Sequence, residues 1–600
     1  MRDIVAVLQA GEPARAEALS RARLQDHPDD EQLLFLLALS LHHQNRHGEA
    51  AAIHRQLAQR APHEALHWSN LATALQAAGD DAAALEAAQQ GLAIAPQNAA
   101  LLTVQGRVLL HRREYEPARD ILLRAHAMQP HDAEIAIAAA QAAIACRDYF
   151  AEDLIQGWRK WLPLPDAAQF DLAFALMTIG DAMAAQELLE DLVARAPGHL
   201  HANALLASVY ERSNRLQDAR VLIERIKQQV LDPAGSVAHD IAHSEARLAE
   251  RAGDFAAARA LLDARGPRSP EDFDHYFALA QVCDKQDERA AALQALHTAH
   301  ALQIEDMRRA APQRFRPDAP MFPAANHTLS REDYAAWPQL HAPDAAHSPV
   351  FIVGFPRSGT TLLEQMLDAH PALQSMDERP FFNVLGDHLS AAGLRVPREL
   401  HRMQQSDCDQ LREAYWDLVR SKIARKADTQ LVDKNPLNML WLPLIHRLFP
   451  NARYILALRD PRDVLLSNYF QNFRSVVLGA VCADLESLAR GYVTAMTYWL
   501  HHAELFQPQI FVSRYETLVA EPQRQAGRLA EFLGLADAQP LLNSQARAKE
   551  KGYIATPSYT EVIQPITPRR VNRWQRYREA LQPALPILEP MLRHWGYAID

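Results

Sequence analysis

Small and apolar residues recur in the first half of the chain at intervals of 34: Leu37, Ala38 and Ala50 are followed by Leu71, Ala72 and Ala84, then by Gly106 and Ala118. Pro28, Pro62, Pro96 and Pro130 mark the same interval, and Pro197 falls close to two periods further on. Leu172, Ala173 and Ala185 before Pro197, and Leu206, Ala207, Tyr210 and Ala219 after it, keep the internal offsets. A repeat of this length predicts helix hairpins. Each hairpin is too small to bury its own apolar face, so neighbours stack into a superhelix, and small residues at the recurring positions let paired helices approach closely.

The pattern stops at a proline-rich stretch in which Pro312, Pro317, Pro320, Pro323, Pro338, Pro343 and Pro349 interrupt any long helix. The chain therefore divides into a helical repeat domain over 1–310, a linker over 311–348 and a second domain over 349–600. In the second domain the period changes. Short apolar runs at Pro349 to Phe355, Ala452 to Asp460 and Gln509 to Val512 read as buried strands. The order strand, loop, helix recurs over 350–370 and 453–473, which predicts a three-layer α/β fold with a mostly parallel sheet.

Composition changes the picture only at the edges. With 600 residues, 48% of them hydrophobic and 22% charged, the chain is globular and long enough for two domains. A formal net charge of −11 gives no general attraction to nucleic acid or anionic membrane, so any anion site must be a local basic pocket. Cys146, Cys283, Cys408 and Cys482 are too scattered for a disulfide framework or a CxxC metal site. The first residues lack the pattern of a secretion signal and no segment has the roughly 18 to 20 apolar residues of a membrane span, so a cytoplasmic protein is expected. His239 with His243, and His297 with His300, stand at helical spacing without an evident third ligand; they read as core or solvated histidines, and no metal is expected.

The chemistry is concentrated after the first strand. Pro356-Arg-Ser-Gly-Thr-Thr forms a loop that opens an amphipathic helix, where backbone N–H groups and the helix N-terminus converge on one anion. Gly354 and Gly359 have the spacing of a nucleotide-binding loop, yet Thr360 stands where an ATP- or GTP-binding loop needs Lys. That substitution argues against a phosphotransferase. Asp433 and Asp460 are imperfect candidates for a magnesium-binding carboxylate.

Two resemblances follow from these motifs. The periodic half resembles a tetratricopeptide repeat array, whose concave face commonly binds an extended peptide; scaffolding or oligomer assembly is the alternative use. The segment PRSGTTLLEQMLDAHP resembles the 5′-phosphosulfate loop of sulfotransferases, and is most like the tyrosylprotein sulfotransferase branch. The resemblance implies 3′-phosphoadenosine 5′-phosphosulfate as co-substrate, held by Arg357, Ser358, Gly359, Thr360 and Thr361. It further implies that Arg459 and Ser467 bind the 3′-phosphate, that Tyr515 and Arg573 contact the nucleotide, that Glu378, with Asp377 as alternate, is the general base, and that Lys434, Arg357 and Ser558 act on the sulfuryl donor. The family's additional arginine on the helix after Arg459 is replaced by Gln471.

Three readings of function remain open from sequence. The first is sulfuryl transfer to a hydroxyl of a protein tyrosine presented by the repeats. The second is transfer to a glycan or small molecule. The third is a repeat adaptor with a nucleotide-sensing domain that does not catalyse.

Overall fold

The computed structural model describes residues 1–230, 232, 235–551 and 570–599. It separates into two compact units, Met1–Ile179 with Arg309–Pro312, and Gly180–Arg308 with Gln313–Asp600.

The first unit is built of antiparallel helix pairs, among them Glu31–His42 with His47–Arg60, Ala65–Ala77 with Asp81–Ile94, and Ala99–His111 with Tyr115–Met128. The proline period marks the turns between pairs. Two residues after Pro28, Pro96 and Pro130, the side chains of Asp30, Asn98 and Asp132 cap the next helix by accepting its first free N–H groups. The apolar period marks the buried seam: Leu37, Ala38, Ala50, Leu71, Ala72 and Ala84 share one core. At Gly106 the helices meet so closely that a Cβ would lie 2.4 Å from Leu122 Cγ.

In the second unit, further helix pairs lead into an α/β domain. The last of them, Phe273–Lys285 and Arg289–Ala310, does not end a separate domain. Phe277, Cys283, Leu296 and Ala299 belong to the same hydrophobic core as Phe351, Tyr454 and Trp499. His300 stacks on the Tyr469 ring at 4.4 Å and bonds its backbone oxygen at 2.8 Å, while His297 bonds the Tyr469 hydroxyl. The expected boundary at 310 therefore falls inside a continuous core. The expected linker is also packed there, through Phe322, Leu329 and Trp337.

Five parallel strands form the sheet: β1 Val350–Val353, β2 Leu373–Met376, β3 Gln430–Lys434, β4 Arg453–Leu458 and β5 Gln509–Arg514, in the order β2-β3-β1-β4-β5. Alternate residues serve two cores. Phe351, Val353, Tyr454 and Leu456 face one layer of helices, and Val350, Ile352, Val432 and Ile455 face the other. Burial on both faces explains why these strands read as continuous apolar runs.

The pair His239 and His243 differs from expectation in one respect. The fold brings Asp272 to within 3.4 Å of His239 Nε2, and the three side chains form a group with metal-ligand spacing. Hydrogen bonds already occupy these atoms: Arg265 donates to His239 Nδ1, and Asp272 accepts from the backbone of Arg268 and His275. Burial and the nearby Arg268 and Arg265 hold His239 neutral, at about 4, although Asp272 opposes them.

Candidate active site

All five strands deliver a candidate residue from their C-terminal ends, the edge at which parallel α/β sheets gather their ligands. The loop 354–359 follows β1, Glu378 follows β2, Lys434 ends β3, Arg459 follows β4 and Tyr515 follows β5.

The loop after β1 is shaped by close approach. Gly354 has φ +147°, and a Cβ there would lie 2.5 Å from the backbone oxygen of Ala457; its N–H donates to Pro436 O. Gly359 (φ +98°) caps the helix Thr360–Asp368, and a Cβ there would meet the Tyr515 ring at 2.8 Å. Arg357 also adopts positive φ, which turns the loop around the helix mouth. Ser358, Thr360 and Thr361 are buried at that mouth.

Arg357 Nε donates to Ser467 Oγ at 3.1 Å, so two of the expected anion ligands touch although 110 residues separate them. Ser467 lies on the helix Pro461–Tyr469, whose Asn468 holds the loop by donating to Pro356 O. Arg459 is almost fully buried. Its guanidinium lies 4.8 Å from the Tyr515 ring centroid, donates to the backbone oxygens of Arg357 and Arg570, and pairs with Asp463 at 3.4 Å. Its Nε is buried with no hydrogen-bond partner among the described residues. A spare donor beside a glycine-shaped cradle at a helix N-terminus fits a multiply charged phosphate ligand.

A second cluster adjoins the loop helix. Lys434 Nζ lies 2.6 Å from Glu378 Oε1 and 3.2 Å from Glu364 Oε2. The Lys434 and Glu364 side chains are wholly buried, whereas that of Glu378 is 43% exposed. Burial by itself would lower the Lys434 pKa, but the facing carboxylates of Glu364 and Glu378 outweigh it and keep the ammonium charged. Behind it, Asp433 accepts from Tyr415 OH at 2.8 Å and from Asn438 at 3.1 Å. Asp433 and Asp460, which caps the helix Pro461–Tyr469 and pairs with Arg462, are thus engaged in internal bonds.

Arg573 departs from expectation. Its guanidinium pairs with Asp284 at 2.7 Å and lies over Phe470, so it braces the helix Phe273–Lys285 instead of joining the cluster around Arg459. Ser558 lies outside the described residues. Sequence reasoning missed Glu364 and Asp463. For Glu364 the signal was a charged residue between Leu363 and Met366 on a helix with a strong apolar face; for Asp463 there was none, because its partners are Arg459 and the backbone N–H groups of Asn572 and Trp574.

Fold and site together define an α/β protein with a glycine-bounded loop at a helix N-terminus, a buried arginine and a lysine–carboxylate cluster at one edge of a parallel sheet. Residues 349–539 match the sulfotransferase family, and residues 5–65 and 176–236 match two tetratricopeptide repeat families. Similar proteins include one from Aquifex aeolicus (strain VF5) described as uncharacterized, 31% identical over 40% of this chain and 32% of its own length. A putative protein-tyrosine sulfotransferase of Caenorhabditis briggsae is 31% identical over 32% of this chain and 68% of its own. Protein-tyrosine sulfotransferase 2 of Gallus gallus is 29% identical over 41% and 69%. Among solved structures, the sulfotransferase domain of the Synechococcus PCC 7002 olefin synthase matches with a TM-score of 0.29 and 23% identity, over 44% of this chain and all of that one. The chain belongs to the sulfotransferase family, with tetratricopeptide repeats preceding its sulfotransferase domain.

Proposed function

We propose that this protein transfers a sulfuryl group from 3′-phosphoadenosine 5′-phosphosulfate to an acceptor hydroxyl, with a tyrosine of a protein or peptide as the favoured acceptor. The observation that carries the proposal is the Glu378–Lys434 pair beside the loop helix: a half-exposed carboxylate next to a buried, charged ammonium. The donor supplies an activated S–O bond to a phosphate leaving group.

The residues divide the work by charge. Gly354, Gly359 and the N–H groups at the mouth of Thr360–Asp368 hold the 5′-phosphosulfate, together with Arg357 of the same loop. Arg459 and Ser467 bind the 3′-phosphate, and Tyr515 flanks them. In the transfer a new S–O bond forms to the acceptor oxygen as the bond to the phosphate oxygen breaks. Glu378 takes the acceptor proton, and Lys434 with Arg357 meets the charge left on the departing oxygen.

Sulfuryl transfer is favoured over an adaptor role because a binding module has no use for a base and a cation set side by side. A tyrosine acceptor is supported by the names of the related proteins and by repeats suited to holding a peptide. The first test is calorimetric binding of 3′-phosphoadenosine 5′-phosphate to wild type and Arg459→Ala, with ATP and adenosine 5′-phosphate as comparisons. Magnesium-independent binding that needs the 3′-phosphate and Arg459 is expected; preference for ATP, or no binding, would overturn the proposal.

A further inference from the structure

Glu364 stands where a carboxylate is least expected, wholly buried on the helix Thr360–Asp368 between Leu363 and Met366. Side chains of this type are almost never fully buried without a partner. Here both oxygens are engaged: Ser375 Oγ, on β2, donates to Oε1 at 2.6 Å, and Lys434 Nζ, at the end of β3, lies 3.2 Å from Oε2. Three elements of regular structure therefore fix this carboxylate. Glu378 differs, because it lies on the segment between β2 and the helix Phe381–Ala391 and is 43% exposed.

We propose that Glu364 is a positioning residue, which pairs with the Lys434 ammonium and holds it on the donor side of the site, so that Glu378 is left as the carboxylate that meets the acceptor. The inference rests on the sulfuryl-transfer reading of the same site. Glu364, Glu378, Asp377 and Asp433 all act on Lys434, and Asp433 is itself held near neutrality, at about 7, by burial against the pull of its hydrogen bonds. One ammonium shared only with Glu378 would form a closed ion pair, and a base locked in such a pair accepts a proton poorly. With Glu364 sharing the Lys434 ammonium, Glu378 is not its sole counter-ion and, as the more exposed of the two carboxylates that contact it, is the one open to an acceptor. The rigid pair also prevents the ammonium from following Glu378 toward the acceptor, which suits a cation that must wait at the leaving oxygen.

The test compares full-length wild type, Glu364→Gln and Ser375→Ala. Calorimetry measures the affinity for 3′-phosphoadenosine 5′-phosphate. Rates are followed across pH for transfer from 3′-phosphoadenosine 5′-phosphosulfate to a tyrosine-containing peptide, to 2-naphthol and to water. For Glu364→Gln, nucleotide affinity and acceptor KM should change by less than about threefold while kcat falls about 10- to 100-fold. The acid limb of the kcat profile should move to lower pH, because an ammonium without its buried partner favours the ionised form of the carboxylate beside it. Ser375→Ala should act in the same direction by a smaller factor, and it carries the test if the Gln variant does not fold. Folded variants with wild-type kcat and an unmoved acid limb would overturn the positioning role and leave the transferase standing. A wild type that binds no nucleotide and transfers to none of the three acceptors would overturn both.

Discussion

Lys434 and Arg459 show how the same charge serves two purposes at two depths. Lys434 is wholly buried between two carboxylates, and Arg459 is nearly buried with an Nε donor that has no hydrogen-bond partner among the described residues. Replacing Arg459 with Ala should weaken 3′-phosphoadenosine 5′-phosphate binding by about ten- to a hundredfold, the range for losing charge-assisted hydrogen bonds, with little change in the binding of adenosine 5′-phosphate. Glu378→Gln should lower kcat by roughly 10²- to 10⁴-fold with nucleotide affinity intact, as a rate assay beside calorimetry would show. Asp433 permits a prediction of opposite kind. Burial raises its carboxyl from an ordinary 3.8 to about 7, against hydrogen bonds from Tyr415 and Asn438. The folded state then binds the proton more tightly than the unfolded chain, so this group's contribution is fully present below the unfolded value and is lost as pH rises toward 7. Thermal unfolding of Asp433→Asn should accordingly decline less over that interval than wild type.

At the scale of elements, the glycines and the C-terminal arginines decide what can approach what. Gly354 lies where β1 and β4 converge, and Ala at this position would drive a Cβ to 2.5 Å from Ala457 O in a backbone conformation that side chains disfavour. A loss of about 1–3 kcal/mol in stability, together with loss of nucleotide binding, is expected of Gly354→Ala in denaturant unfolding and calorimetry. The helix Phe273–Lys285 is tied to the C-terminal segment through Asp284, which accepts from Arg573 and Tyr577, both at 2.7 Å. Asp284→Ala would strand the buried Tyr577 hydroxyl and unpair the part-buried Arg573, and should cost about 1–3 kcal/mol, read as a fall in the thermal midpoint. The loop motif was legible in the sequence because its residues are contiguous. The Arg573 contact was not, since its partner lies 289 residues away.

For the whole molecule, the position of the cut matters more than the number of domains. Removing 1–310 takes away Phe277, Leu296 and Ala299 and exposes a core they share with Phe351 and Tyr454, so that fragment should aggregate. A fragment beginning at Gly180 keeps the compact unit and should fold and bind 3′-phosphoadenosine 5′-phosphate, as size-exclusion chromatography and calorimetry would show. By itself the sequence determined the helix-pair period, the parallel strands and the glycine-bounded loop that opens a helix, because each depends on local spacing and on contiguous residues. It also singled out Arg357, Glu378, Lys434, Arg459 and Ser467 by motif as candidates, which the fold gathers at the C-terminal edge of the sheet or on the helix beside it. Only the tertiary structure decided that the last repeats share the sheet's core, that Arg573 braces a repeat helix, and that Glu364 stands behind Lys434. Those outcomes depend on which distant surfaces meet, and on the burial that turns a helix glutamate into the partner of a lysine two strands away in the chain.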